Sequence, residues 1–455
     1  RKSCPKEEPT PLARETWEYS VAMSYFSLSE LRSGIEQLGD MKFTLLVDLC
    51  NGGPAVAQVK HIPAIRSLIS DQCTSLIVST TFLEHDPYRL LAQIQTAHSL
   101  KIVGNLSIQT SYSTSYLFAN LSSEMYPLRR LILRAMLPPR ILHDSHIFQR
   151  LHHLYLYIFH EWWANGLSRL GGLLKEVRTL GIGGIATPSL QPIISISSQR
   201  LVHLVLSSVS PSIFFNSTYR SLVALLFDGK GFSDLTDQIR SLPRIPFPSL
   251  RYLLYKGRLS SLSKFEAPNL LILAIQSQGS APNDHRDKVE LSKHLSINPR
   301  YVIMDMELGS DSLVETFLAS ARNVADLEIN FDEGSLRSSK MPHLLSEILE
   351  SNPFCPALLN LRISVRSKGA RWTTNKANLI SISRGILLSR KEANHLTSLE
   401  SLKYKVTKSW EFDSCHGRRR MDELWERNLR DGSQATWDRE RERLLSRPGW
   451  IDLQE

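Results

Sequence analysis

One phrase, Leu-x-x-Leu-x-Leu, recurs along most of the chain and constrains its fold more than any other feature. Clear copies begin at Leu128, Leu151, Leu201, Leu222, Leu250, Leu270 and Leu358. Looser copies, with other apolar residues standing in for leucine, begin at Cys73, Ala97, Val177, Tyr301, Val324 and Leu399. Unrelated strands of an ordinary α/β protein match such a phrase here and there by chance, but not in series with turn-like segments between. One supersecondary unit of roughly 20–29 residues is being reused.

The spacing has a physical meaning. The fourth and sixth positions alternate as a short strand must and point inward, while the third, fifth and seventh point to the other face. No single unit can bury its apolar face alone, so neighbours stack and share one core. The expected fold is therefore α/β, a curved leucine-rich-repeat solenoid with a parallel sheet on the concave side and helices and turns on the convex side. In that register Leu204 is buried and Val205, next to it, faces outward.

The connecting segments refine the picture. Ser312-Leu-Val-Glu315 reads as a capping box opening a helix before Val324, and Pro342 opens another through Leu344, Leu345 and Ile348. The Ser/Pro-rich stretches 208–212 and 241–249 predict turns. An asparagine or cysteine just past the third leucine, able to bond successive turns together, occurs only as Asn105, so an asparagine ladder is mostly absent.

At 455 residues a globular chain would split into two or three domains, but a solenoid lengthens without enlarging a single core. No apolar run approaches the length of a membrane helix, and residues 1–11 lack the apolar stretch of a secretory signal. The five cysteines are scattered and form no Cys-x-x-Cys pair. That pattern points away from a disulfide framework or a zinc site and toward a reducing compartment, cytoplasmic or nuclear. Three glycosylation sequons, at Asn105, Asn120 and Asn216, are of the number a Ser-rich chain acquires by chance. The formal charge of +9 is dispersed rather than clustered on one face, which argues against nucleic acid as the partner.

Motifs with chemistry fail one by one. Gly181-x-Gly183-x-x-Ala186 follows a predicted strand, as a dinucleotide fingerprint would, but Pro188 and Pro192 interrupt the helix it needs and the next acidic residue is Asp228. His160-Glu161-Trp162-Trp163 lacks the second histidine of a zinc protease, and no Gly-x-Ser-x-Gly elbow is present. Of His152 and His153, which alternate across a strand, only one can face outward. The sequence predicts no catalytic residue, no cofactor and no metal, and hence no enzyme.

Recognition remains. Read along the predicted concave face, Arg130, Ile132 and Arg134 precede His153, Tyr155 and Tyr157, then the small Thr179, Gly181 and Gly183. Next come Tyr252, Leu254 and Lys256, then Asp305 and Glu307 with Asp326 and Glu328, then Arg362, Lys403 and Lys405. Aromatic and arginine residues are enriched at binding hot spots. The candidate partner-binding set is accordingly Arg130, Arg134, His153, Tyr155, Tyr157, Tyr252, Lys256, Asp305, Glu307, Asp326 and Glu328, with Tyr155 and Tyr157 expected outside the core. A protein is the expected partner, and the chain by itself is expected to be monomeric.

Three regions follow: 1–70, a helical lead-in and cap; 71–407, irregular repeats; and 408–455, a charged helical cap or tail. In the last, Met421, Leu424, Trp425 and Leu429 share one helical face, Gly432 stops that helix, and Trp437, Leu444 and Leu445 ride on a second. It reads either as a cap for the last repeat or as a docking helix for a partner.

Leu31-Arg-Ser-Gly34 leading to Phe43-Thr-Leu-Leu-Val-Asp48, the Cys73-Thr-Ser-Leu-Ile-Val78 strand, and Pro248-Ser-Leu-Arg-Tyr-Leu253 among degenerate repeats resemble the region that follows the F-box in fungal-type F-box/leucine-rich-repeat proteins. The resemblance covers roughly Leu31 to Tyr404. It implies that the repeats capture a substrate for a cullin-RING ubiquitin ligase and that no residue is catalytic. The F-box helices, with their Leu-Pro opening, are not in this sequence, so contact with the ligase adaptor would depend on residues before Arg1.

Overall fold

The computed structural model describes residues 19–22, 43–48, 73–80, 99–104, 130–134, 151–158, 176–184, 198–207, 217–228, 243–257, 259–277, 285–306, 311–332, 355–366, 401–407, 433–447 and 450–452, with isolated residues such as Phe214 and Leu429. The chain divides into two compact units, Arg1–Ile185 and Ala186–Glu455. Both belong to a mixed α/β fold rich in parallel strands and poor in helix.

In the first unit, strands β1 (Tyr19–Ala22), β2 (Phe43–Asp48), β3 (Cys73–Thr80), β4 (Ser99–Gly104), β5 (Arg130–Arg134), β6 (His153–Ile158) and β7 (Thr179–Gly184) pair in chain order, each parallel to the next. The fourth phrase position runs through them as a ladder, Leu45, Leu76, Leu100, Leu131, Leu154 and Leu180. Strands β1 and β2 belong to this sheet; within residues 1–70, expected as a helical lead-in and cap, Ser33, Glu36 and Gln37 are helical. A strand so placed covers the edge that β3 would otherwise expose.

The second unit contains, in chain order, β8 (His203–Ser207), β9 (Ala224–Asp228), β10 (Ile245–Pro246), β11 (Tyr252–Gly257), a 3-10 helix (Leu259–Lys264), β12 (Phe265–Ala267), β13 (Ile272–Ser277), α1 (His285–His294), β14 (Ser296–Ile297), β15 (Tyr301–Met306), α2 (Asp311–Ser320), β16 (Asp326–Asp332), β17 (Asn360–Arg366), β18 (Ser401–Thr407), α3 (Gln434–Leu445) and β19 (Ile451–Asp452). Strands β8, β9, β11, β13, β15, β16, β17 and β18 pair in that order, all parallel, and β19 closes the edge of β18 antiparallel. Strands β10, β12 and β14, which lie in the connections, form a second small parallel sheet.

Here too the phrase becomes a register. Leu204, Leu225, Leu253, Leu273, Val302, Leu327, Leu361 and Leu402 stand side by side, as do Leu206, Phe227, Tyr255, Ile275, Met304, Ile329, Ile363 and Tyr404. All are buried. Val302 and Met304 occupy the fourth and sixth positions, so the copy expected to begin at Tyr301 starts two residues earlier; Tyr301 itself is a third-position residue.

One backbone device repeats with the strands. The carbonyl of the second phrase residue accepts two N–H groups from the next repeat: Val202 from Val223 and Ala224, Val223 from Arg251 and Tyr252, Arg251 from Leu271 and Ile272, Leu271 from Arg300 and Tyr301, Arg300 from Ala325 and Asp326, Ala325 from Leu359 and Asn360. Side chains add a polar ladder in place of the missing asparagine one. Ser221 donates to the Gln199 carbonyl at 2.9 Å, Ser249 to Arg220 at 2.5 Å and Asn269 to Pro248 at 2.7 Å, each from the residue just before a first leucine.

The connections carry the rest of the core. Phe214 meets Tyr219, Phe227, Phe247 and Phe265 edge-on, with ring centroids 5.3–6.0 Å apart, and Phe247 stacks on Phe265 at 5.6 Å. Such edge-to-face pairs suit the ring quadrupoles. Helix α2 forms where a helix is expected before Val324, but it starts at Asp311, so Ser312 lies inside its first turn rather than at its cap. The expected helix at Pro342 lies outside the described residues.

Candidate partner-binding face

The third, fifth and seventh phrase positions of the second unit form one face. Its fifth-position row runs Val205, Leu226, Leu254, Ala274, Ile303, Glu328, Arg362, Lys403, apolar for five strands and charged for three. This face is not open. Val205 is 1% exposed, Tyr252 2%, Ile303 2%, Asp326 0% and Glu328 3%.

The C-terminal segment covers it. At one end His203 Nε2 donates to the Leu429 carbonyl at 3.2 Å. Arg251, at the start of β11, donates to Gln434 Oε1 at 3.0 Å, and the Tyr252 and Trp437 rings stack with centroids 6.2 Å apart. Arg441 Nε then donates to Asp326 on β16. Arg362 on β17 donates to the Leu444 carbonyl at 3.0 Å and to the Leu445 carbonyl. Beyond the helix, Trp450 receives Arg362 at 5.3 Å and Lys405 at 5.9 Å over its ring, and β19 pairs with β18.

Geometry explains why a helix of this length fits. From Gln434 to Leu445 the rise is roughly 17 Å at about 1.5 Å per residue. From β11 to β17 there are four lateral steps of about 4.8 Å, roughly 19 Å. Helix α3 therefore crosses the strands with its ends over β11 and β17. Its buried seam is Trp437, Glu440 and Leu444, one stripe at i, i+3 and i+7. The electrostatics follow the same line. Trp437 lies at the apolar end, Arg441 reaches the acidic strand, and the carbonyl end of the helix, with its partial negative charge, meets Arg362.

Within the face the acidic groups are partnered. Asp305 accepts from Asn330 at 2.7 Å, Asp326 also accepts from Asn360 at 2.7 Å, and Glu328 accepts from the Tyr301 hydroxyl at 2.8 Å. Burial, reinforced by the adjacent Glu328 charge, holds the Tyr301 phenol well above its ordinary pKa, so it stays a donor. On α3, Arg443 grips the buried Glu440 carboxylate with two bonds, at 3.0 and 3.1 Å.

Several expected site residues lie beneath this cover. Tyr252, Asp305, Asp326 and Glu328 are on the expected face but buried beneath or within it, and Lys256 is half-buried. The reason is a cover supplied from far along the chain. Val205 is likewise inside rather than outward. Glu307 lies past the end of β15, outside the described residues.

In the first unit the register sets Arg130 beside His153, Ile132 beside Tyr155 and Arg134 beside Tyr157. His153 is 7% exposed and Tyr155 1%, so the expectation that Tyr155 stands outside the core is also corrected. Its neighbour shows how the ring is accommodated. A Cβ on Gly181, directly opposite on β7, would lie 2.1 Å from Tyr155 Cδ1. Glycine at 181 is thus the floor of a slot for a tyrosine ring, inside a strand and not in a phosphate loop. Arg130, Arg134 and Tyr157 are described by their strand positions alone. His152, half-buried, faces Glu176 at 3.5 Å. The His160–Trp163 stretch lies outside the described residues.

Among the described residues no cluster of histidine, cysteine, aspartate or glutamate could hold a metal, and no helix is long and apolar enough to cross a membrane. Compared with protein-family models and with curated proteins, the sequence matches none.

Proposed function

We propose that the chain is a leucine-rich-repeat solenoid that recognises other proteins without catalysing a reaction, and that it serves as the substrate-recognition subunit of a cullin-RING ubiquitin ligase of the F-box type. The observation that supports recognition is the way the sheet face of the second unit holds a helix. Aromatic, carboxylate and guanidinium side chains each engage a separate feature of α3, as a binding face engages a ligand. The ligase assignment rests on the F-box/leucine-rich-repeat resemblance. It predicts an F-box encoded just before Arg1 and a full-length product that co-purifies with the ligase adaptor, whereas a chain beginning at Arg1 does not. Sequencing the transcript upstream and purifying both forms tests it. An in-frame stop immediately upstream, or a full-length product without adaptor, leaves a ligase-independent repeat scaffold with a cytoplasmic or nuclear role.

A further inference from the structure

The segment over the second unit's face has the attributes of a ligand. Only three residues of α3 are buried, and its anchors meet strand side chains rather than the interdigitated leucine ladder. Residues 408–428 separate the last parallel strand from Leu429. Cover and face belong to one chain, so the docking is intramolecular. A weak intrinsic affinity therefore suffices to keep the face covered. The fit is also incomplete: Trp437 Nε1 and Arg362 Nε are buried and meet no acceptor among the described residues.

We propose that this face is the docking site for an amphipathic helix of a partner protein, and that α3 is the chain's own stand-in, which the partner helix displaces. The chemistry of the occupant follows from α3. It carries an aromatic residue for Tyr252, an arginine four residues on for Asp326, and an apolar residue three further for the seam, as Trp437, Arg441 and Leu444 do. Its last carbonyls must be uncapped to accept from Arg362. An added acceptor near the indole would satisfy a donor that α3 leaves unmet, so a partner can bind more tightly than the covering helix. This rests on the protein-recognition reading above, and not on the ligase assignment.

The test uses the full chain with a protease site placed within residues 408–428 and a fluorescent peptide spanning residues 432–450 as probe. Uncut protein should bind the peptide at least tenfold more weakly than protein cut and freed of its own 429–455 fragment by dilution. In the freed protein, Asp326→Arg should weaken the peptide at least about thirtyfold, and a peptide carrying Arg441→Glu should recover part of that loss. Three outcomes overturn the proposal: a fragment that stays bound through nanomolar dilution, a cut protein that loses its cooperative melting transition once the fragment leaves, or peptide binding indifferent to residue 326. Hydrogen exchange on the uncut chain gives an independent reading. Amides of α3 should exchange faster than those of β11 and β13, and equal protection would make α3 a permanent part of the fold. Peptide docking without adaptor co-purification leaves this inference standing and removes the ligase role; the reverse result does the opposite.

Discussion

The two faces of the strands β8 to β18 are both largely buried, the leucine face throughout and the other with half-buried positions such as Lys256 and Lys403, and for different reasons. On one face the fourth and sixth positions repeat leucine, isoleucine, valine and their aromatic substitutes, and every repeat covers its neighbour. On the other, the row from Val205 to Lys403 changes character from apolar to charged, and a segment more than 150 residues downstream of the first strands it touches reaches this face at His203, Tyr252, Asp326 and Arg362. The first kind of burial is written into every repeat and is insensitive to the loss of a distant contact. The second depends on a single docking event, so its cost to stability cannot exceed what that docking contributes.

Leu204→Asp should have the largest effect. It places a carboxylate, fully buried, beside Leu225 at the head of the leucine ladder, and more than about 4 kcal/mol is expected. In urea melts the second unit should lose its cooperative transition. If Leu204→Asp and Val205→Asp cost the same, the two faces are not distinct and the comparison fails.

Trp437→Ala comes next, at about 3 kcal/mol, a figure expected for a buried aromatic but bounded here by release of α3. Val205→Asp should cost about 2 kcal/mol. Their combination sharpens the contrast, because both variants act through the same cover. Once Trp437→Ala has freed the helix, Val205→Asp should add little, and a double-mutant cycle in denaturant should return a clear deviation from additivity. Full additivity would mean that Val205 is buried by something other than the C-terminal segment.

The sequence made the first face legible and left the second almost unread. Periodicity identifies the leucine ladder residue by residue, since the same spacing is sampled a dozen times; the single slip, at Tyr301, falls where Pro299 stands in the first leucine's place. Strand parity also put Tyr252, Asp326 and Glu328 on one face correctly. What parity cannot give is a cover, because Trp437 and Arg441 lie far away in sequence and occur once. A signal was nonetheless present. Val205, Leu226, Leu254 and Ile303 form an apolar row where a solvated face would be polar, and the tail offers an amphipathic helix in need of a surface. The polar ladder of Ser221, Ser249 and Asn269 was equally hidden, since a serine before a leucine is common in any turn.

The first unit offers a local version of the same problem. Gly181→Ala would drive a Cβ into the Tyr155 ring, and about 2 kcal/mol of destabilisation is expected as the ring is pushed from its slot. Truncating the ring relieves the clash. Thermal melts of Gly181→Ala in a Tyr155→Ala background should show a much smaller penalty, and an unchanged penalty would place the cause in the backbone instead.

Tyr301→Phe is the mildest change and separates the faces by pH. Its hydroxyl donates to Glu328 within the covered face, and replacing it should cost about 1 kcal/mol near neutrality. In the unfolded chain a tyrosine ionises at about pH 10. In the native protein burial and the Glu328 charge hold Tyr301 neutral well above that. Its contribution is therefore complete below about pH 10 and declines as pH rises toward the native value, because only the unfolded state gains from ionisation. Urea melts between neutrality and strongly alkaline pH should show stability falling from about pH 10 upward, with a shallower fall in Tyr301→Phe. Part of the slope should persist, since burial also raises Tyr219, on the leucine side of the sheet, far above its ordinary value. Identical alkaline slopes in the variant and the parent would show that Tyr301 ionises as freely as a solvated tyrosine, and that the face beneath α3 is wetter than its exposure values describe.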